Sequence, residues 1–122
     1  KNIFFFGRVS KNKLKHFYDQ SSGMICLGFD ETFCLNALEA NSCGLPILTF
    51  GKTALKDLSI NNYNSFLLRN YDEISKKILS ISTNGLEKRL IKNSVNHSKK
   101  YRIEKIIGKW VQILKKWAFI KT

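Results

Sequence analysis

The chain has 122 residues, with 21 lysines and arginines against nine acidic side chains, a formal net charge of +12, and 43% hydrophobic residues. That length allows one domain with a single core and excludes a second full domain within these residues. No apolar run approaches the roughly 18–20 residues of a membrane helix, and no signal-peptide pattern opens the chain.

Residues 2–6 are an apolar, aromatic run ended by Gly7 and predict a buried strand. Leu14, Phe17 and Tyr18 at helical spacing predict a helix over 11–20, closed by Ser21-Ser22-Gly23, with Tyr18 in the core. Residues 24–27 predict a second buried strand. A helix over 32–42 follows, with Leu35, Leu38 and Ser42 along one stripe and Gly44 at its end. Residues 46–50 predict a third strand and 53–58 a short helix. A fourth strand over 65–68 comes after the polar turn Asn61-Asn62. Asp72 is the expected cap of a helix over 73–81 that turns Ile74, Ile78 and Ile81 inward. Helices over 86–99 and 103–119 finish the chain, the last burying Ile103, Ile106, Trp110, Leu114 and Trp117. Strands apolar throughout and alternating with helices predict an α/β fold, a Rossmann-like parallel sheet with helices on both faces. Ligands of such sheets sit beyond the carboxyl ends of the strands, which directs attention to residues 7–9, 28–32 and 50–53.

The positive charge invites a nucleic-acid reading. However, 17 of the 21 basic residues are lysines, beside 11 asparagines and 13 isoleucines, a bias that AT-rich codons produce. Phosphate and base recognition favours arginine, of which there are four. Residues 51–122 carry 16 basic and five acidic side chains. A solvated basic face is the plainest reading, an anionic membrane surface or acidic acceptor the next, and nucleic acid is disfavoured. Cys26, Cys34 and Cys43 are odd in number and fit no zinc or disulfide framework, so they read as reduced, packed thiols of a cytosolic protein.

The loop into the second helix carries the chemistry. Gly28-Phe29-Asp30-Glu31-Thr32-Phe33-Cys34-Leu35 leads from a buried strand to a helix N-terminus, where free N–H groups and the positive dipole end suit a diphosphate. Glu31 stands just before that helix and Glu39 eight residues on, about 12 Å along a continuous helix. Carboxylates accept hydrogen bonds from vicinal diols, so the pair suits groups on either side of a phosphate, a sugar and a ribose. On spacing alone, two glutamates on one helix are more often exposed ornament. The small, apolar surround of Glu39, with Ala40 and then Cys43-Gly44-Leu45-Pro46, favours a site.

The run from Glu31 to Ile47, ETFCLNALEANSCGLPI, resembles the E-x7-E signature of retaining family 4 glycosyltransferases, usually "EGFGL…LEAMACGLPVI". Phe5-Phe6-Gly7-Arg8-Val9 resembles the family's strand and turn at the base pocket. Residues 61–68 resemble its "DGxxGxLV" segment and residues 71–81 its "D…LA..I..LL" helix. Cys34 stands where the family has glycine, Gly28 where it has serine, and Gly51-Lys52 where it has paired glycines.

The resemblance implies the C-terminal, donor-binding domain of a two-domain GT-B glycosyltransferase. That domain lacks its first strand–helix unit, and the N-terminal acceptor domain lies upstream. Residues 1–122 are then a single partial domain, a reading that the start at Lys1 and the lone methionine, Met24, also favour. The resemblance implies transfer of a hexosyl-type sugar from a UDP-, GDP- or ADP-sugar to a hydroxyl acceptor with retention. The setting it implies is cell-surface polysaccharide or glycolipid assembly, in the cytoplasm or at the inner face of the membrane. Glu31 would be the catalytic residue, stabilising charge near the anomeric carbon, and Glu39 would hold the ribose. Thr32, Phe33, Cys34 and Leu35 would meet the diphosphate, Gly7, Arg8 and Val9 would border the base, and no metal is expected. The implied partners are the donor, the missing N-terminal domain, and a membrane surface or lipid-linked acceptor. The isolated chain is expected to be inactive.

His16 is expected on the outer face of its helix and His97 in a basic exposed stretch. Trp110 and Trp117, seven apart among lysines, read first as packing and second as a membrane-surface helix. The alternatives to a glycosyltransferase are a non-catalytic basic binding module and a degenerate remnant of the same fold.

Overall fold

The computed structural model describes residues 3–120, with side chains through residue 118. Helix α1 (Lys11–Gln20) opens at Ser10, whose hydroxyl accepts from the Lys13 N–H at 3.4 Å, and the Ser21 N–H closes it on the Tyr18 carbonyl. There follow β1 (Met24–Ile25), α2 (Leu35–Ser42), β2 (Ile47–Thr49), α3 (Ala54–Leu58) and β3 (Ser65–Leu67). The chain then runs through α4 (Asp72–Asn84), α5 (Lys88–Ser98), a 3-10 turn (Lys99–Tyr101) and α6 (Ile103–Ile120).

The three strands form a parallel sheet in the order β1-β2-β3, with Met24 beside Ile47 and Leu48 beside Phe66. Side chains of β2 alternate between the faces. Ile47 packs with Cys34, Ala37, Leu55 and Leu58 on one side, and Leu48 with Phe66, Leu68 and Leu90 on the other. The α/β class and the helices on both faces are therefore as expected.

Several elements depart from the sequence reading, each for a packing reason. Residues 3–6 form no strand and are exposed, Phe5 to 96%; the expected strand also took in Asn2, which lies outside the described residues. A strand needs a hydrogen-bonded neighbour. Among the described residues none is paired with this run, and Phe6 instead rests on Phe17 of α1 at 4.7 Å between ring centroids. The second strand is two residues long and Ile25 is exposed, because β1 lies at the edge of the described sheet.

The buried stripe of α2 is Ala37, Ala40 and Asn41, while Leu35 and Ser42 face outward and Leu38 is half-buried. Small residues let this helix approach both β2 and α5 closely. Asn70, not Asp72, caps α4: its Oδ1 accepts from the Glu73 N–H at 3.1 Å, while the Glu73 carboxylate accepts from the Arg69 N–H at 2.9 Å. The two bonds cross at the start of the helix, the carboxylate reaching the residue before Asn70 rather than Asn70 itself as a capping box would. Ile74 and Ile81 pack inward but Ile78 is exposed.

His97 is 3% exposed, completing with Leu90 and Ser94 the buried stripe of α5. Its ring lies between those of Tyr63 and Tyr101. His16 is exposed as expected. On α6 the expected burial is absent: Ile103, Trp110, Leu114 and Trp117 are exposed and Ile106 is half-buried.

Candidate functional site

Beyond the carboxyl end of β1 the chain loops through residues 26–34 before α2 begins. Cys34 takes φ 57 and ψ 63, a left-handed conformation that glycine adopts at no cost and most residues avoid. A helix cannot run through that position, so α2 opens at Leu35 and Thr32 and Phe33 stay outside it, exposed. The expected helix start at residue 32 is corrected accordingly. The Cys34 side chain turns into the core, its Sγ 3.3 Å from that of Cys26. Cysteine at this place thus keeps a backbone suited to glycine while its sulfur points away from the loop surface. All three cysteines are free thiols. Burial, followed by the contact with Cys34, pushes the Cys26 thiol up to about 12.

Ala37 is the first residue of α2 whose N–H bonds back, to the Cys34 carbonyl at 3.1 Å. The N–H groups of Leu35 and Asn36 have no acceptor within the helix. Glu31 lies on the loop, exposed, with its side chain folded over Gly28; a Cβ at residue 28 would come within 2.9 Å of the Glu31 Cγ. The Glu31 carbonyl accepts from the Ala54 N–H at 3.3 Å, which ties this loop to the one leaving β2. The two glutamates therefore do not share a helix, and the helical rise between them applies only from Leu35 onward.

Glu39 lies on α2 and lines a groove of about 380 Å³ between α1 and α2, with Lys11, Leu14, Lys15, Tyr18, Asn36 and Cys43 among its walls. Tyr18 is not a plain core residue. Its hydroxyl donates to the Asn36 carbonyl at 3.5 Å, and burial, then the Glu39 carboxylate, raises its pKa to about 12. Gly7 (φ 61) makes a turn with the exposed Arg8, and Val9 is half-buried. Lys11, two residues after Val9, is where that segment enters the groove. The structure thus brings Glu39 and the start of α1 together, whereas Glu31 lies outside the groove.

A second hollow, about 340 Å³, lies at the carboxyl edge itself and joins Phe29, Phe50 and Lys52, from the two loops singled out in the sequence, to Leu68, Arg69, Asn70 and Tyr71, which were not. Phe29 stacks on Phe50 at 5.8 Å, and Tyr71 meets Phe50 edge-on at 5.2 Å. Lys52, Arg69 and Asn70 complete the walls, with no acidic residue among them. The positive charge and apolar ring faces suit an anionic ligand with a sugar or base attached. Gly51 (φ 61) precedes this basic turn, and a Cβ there would sit 2.9 Å from Leu67. Thr53 takes φ 47 and ψ −132, so non-glycine residues in strained conformations stand at the loops after both β1 and β2. Three aromatic residues from three separate loops leave no spacing signal. Only the rule that ligands gather at this edge could have found them.

Residues 1–97 match the family described as Glycosyl transferases group 1. Among curated proteins, an alpha-galactosylglucosyldiacylglycerol synthase from Streptococcus pneumoniae (strain ATCC BAA-255 / R6) is 28% identical over 119 residues. The match covers 97% of this chain and 31% of that protein, so the chain spans about a third of the relative's length.

Proposed function

The chain belongs to the group 1 glycosyl transferases, and from that premise we propose that it forms much of the nucleotide-sugar pocket of a retaining GT-B enzyme. The observation that carries this reading is the placement of Glu39. Its carboxylate lies on the helix that leaves the ligand edge of a parallel sheet, in a groove of a size for a nucleoside, beside the Tyr18 hydroxyl.

In this reading Glu39 holds the ribose diol, and the segment Gly7-Arg8-Val9 borders the base where it enters α1. The diphosphate lies over Thr32, Phe33, Cys34 and Leu35, where the unpaired N–H groups of Leu35 and Asn36 face it. Negative charge grows on the diphosphate as its bond to the anomeric carbon breaks, and these donors, with Lys52 and Arg69 nearby, stabilise it without a metal. Glu31, on the loop at the same edge, stabilises the anomeric centre. The anomeric carbon exchanges its diphosphate oxygen for a hydroxyl oxygen of the acceptor, whose proton passes to the departing diphosphate. The acceptor domain and the first strand–helix unit belong to the remainder of a longer protein, and the 31% coverage of the relative supports this. The relative's name, an alpha-galactosylglucosyldiacylglycerol synthase, supports a lipid-linked acceptor.

Calorimetric titration of UDP, GDP and ADP into the protein tests the pocket. One of them binds, and Glu39→Ala weakens that binding about tenfold, the scale of a hydrogen bond to a charged group. Glu31→Gln leaves nucleotide binding intact and removes transfer in the natural-length enzyme. A protein that ignores all three nucleotides while binding RNA with steep salt dependence would be a basic binding module instead.

A further inference from the structure

Cys26 and Cys34 stand at the two ends of the loop that carries Glu31, Thr32 and Phe33, and the proposed transfer uses neither sulfur. The two sulfurs are 3.3 Å apart. A disulfide spans about 2 Å, so the pair lies roughly 1.3 Å from bonding distance. Cys26 is held in the sheet, its N–H donating to the Leu48 carbonyl at 2.9 Å. Cys34 is the partner that can give. It takes the strained φ of 57, and the chain before it is exposed from Gly28 to Phe33, with the Glu31 carbonyl tied to the Ala54 N–H. Cys43 does not compete within the folded chain, because it closes the far end of α2, about 13 Å along the helix axis from Cys34.

We infer that Cys26 and Cys34 form a reversible disulfide when the chain meets a peroxide, stapling the loop of Glu31 across its base. Cys26 is half-buried and gives a molecule as small as hydrogen peroxide a way to the pair, while Cys34 is 8% exposed. One thiol takes an oxygen from the peroxide, becoming a sulfenic acid as one water leaves. The neighbouring sulfur then attacks it. The S–S bond forms as the S–O bond breaks, and the hydroxyl departs with the neighbour's proton as a second water. The two thiols give up two protons and two electrons, and the peroxide accepts both. Burial holds the Cys26 thiol protonated, its pKa pushed up to about 12, so closure is slow at neutral pH. The same burial makes the Cys26 sulfur a poor leaving group, so the closed staple also opens slowly. The pair is a latch set by sustained oxidation rather than a rapid sensor. It does not depend on the sugar-transfer reading.

The test uses the full chain with Cys43→Ser, treated with hydrogen peroxide, unfolded in urea and alkylated with iodoacetamide. Cys26 and Cys34 escape alkylation together, and dithiothreitol given before the alkylation restores both. Closing a ring from Cys26 to Cys34 raises the melting temperature by roughly 10 °C over the reduced chain. Closure quickens as the pH is raised from neutral to alkaline. Cys34→Gly suits the left-handed backbone at that position, so this variant folds, and peroxide leaves its melting temperature unchanged. Three results overturn the inference. The first is both thiols still alkylated after an exposure that consumes the Cys43 thiol of the parent chain. The second is a loss of alkylation that dithiothreitol does not restore, the mark of sulfinic acid. The third is a covalent dimer in place of the ring.

Discussion

Asn64 is fully buried where the turn before β3 meets the end of α2, and replacing it tests how the site-bearing helix is held. Its Nδ2 donates to the Asn41 Oδ1 at 2.6 Å and to the Leu58 carbonyl at 2.9 Å, and its Oδ1 accepts from the Ile60 N–H at 2.8 Å. Asn41, itself buried in α2, donates onward to the Leu45 carbonyl at 2.8 Å. Asn64→Ala orphans two buried acceptors, each at about 1–3 kcal/mol, and loses a further bond of about 1 kcal/mol. Water entering the vacated space recovers part of this, so the expected loss is about 3 kcal/mol. Against a total of about 6–18 kcal/mol for a chain of this length, that is a large share. It corresponds to a fall in melting temperature of roughly 12 °C. Urea unfolding of Asn41→Ala, Asn64→Ala and the double variant measures it. The double variant loses less than the sum, because the second change removes a group already orphaned. A loss below about 1 kcal/mol for Asn64→Ala, or strict additivity, would refute the account of these two side chains as one clamp.

Other perturbations follow from the same geometry. Gly44 has φ 84 and a Cβ there would lie 2.8 Å from the Ile91 Cγ2. Gly44→Ala therefore costs about 2–4 kcal/mol by urea unfolding, and Ile91→Ala in the same chain recovers the steric part but not the backbone part. Burial, and then Lys100, lowers the pKa of His97 below its ordinary value of 6.5. The unfolded chain thus binds a proton that the folded one refuses. Stability is full above pH 6.5 and declines as the pH falls below it, a slope that His97→Phe removes. Neither ring nitrogen of His97 has a hydrogen-bond partner among the described residues, so the phenylalanine orphans nothing. Iodoacetamide at mildly alkaline pH labels Cys43 before Cys26, whose raised pKa keeps it a thiol. Because Cys43 lines the groove of Glu39, mass-resolved labelling there also lowers nucleotide affinity.

Much of the scaffold was legible because its signals are local. The runs around Ile47-Leu48 and Phe66 are apolar, and each became a paired strand, β2 with both of its faces covered. What escaped depends on neighbours. Ile3 to Phe6 carries the same apolar signal but has no paired strand among the described residues, and pattern alone does not distinguish the two situations. The late start of α2 rests on one backbone angle at Cys34, which a cysteine does not announce. His97 sits among Ser98, Lys99 and Lys100 and reads as surface, yet its spacing from Leu90 and Ser94 places it inward. Of the candidate site, Glu39 and its helix were legible from the loop-to-helix pattern and the small residues around Glu39, with the family pattern beside them. The Phe29, Phe50 and Tyr71 cluster exists only once three loops are folded together.

The most direct test of the donor pocket is a crystal structure with whichever nucleoside diphosphate binds in solution. The account predicts the ribose hydroxyls on the Glu39 carboxylate in the α1–α2 groove, with the phosphates over the N–H groups of Leu35 and Asn36. A nucleotide bound elsewhere, with the Glu39 carboxylate touching none of it, would contradict it.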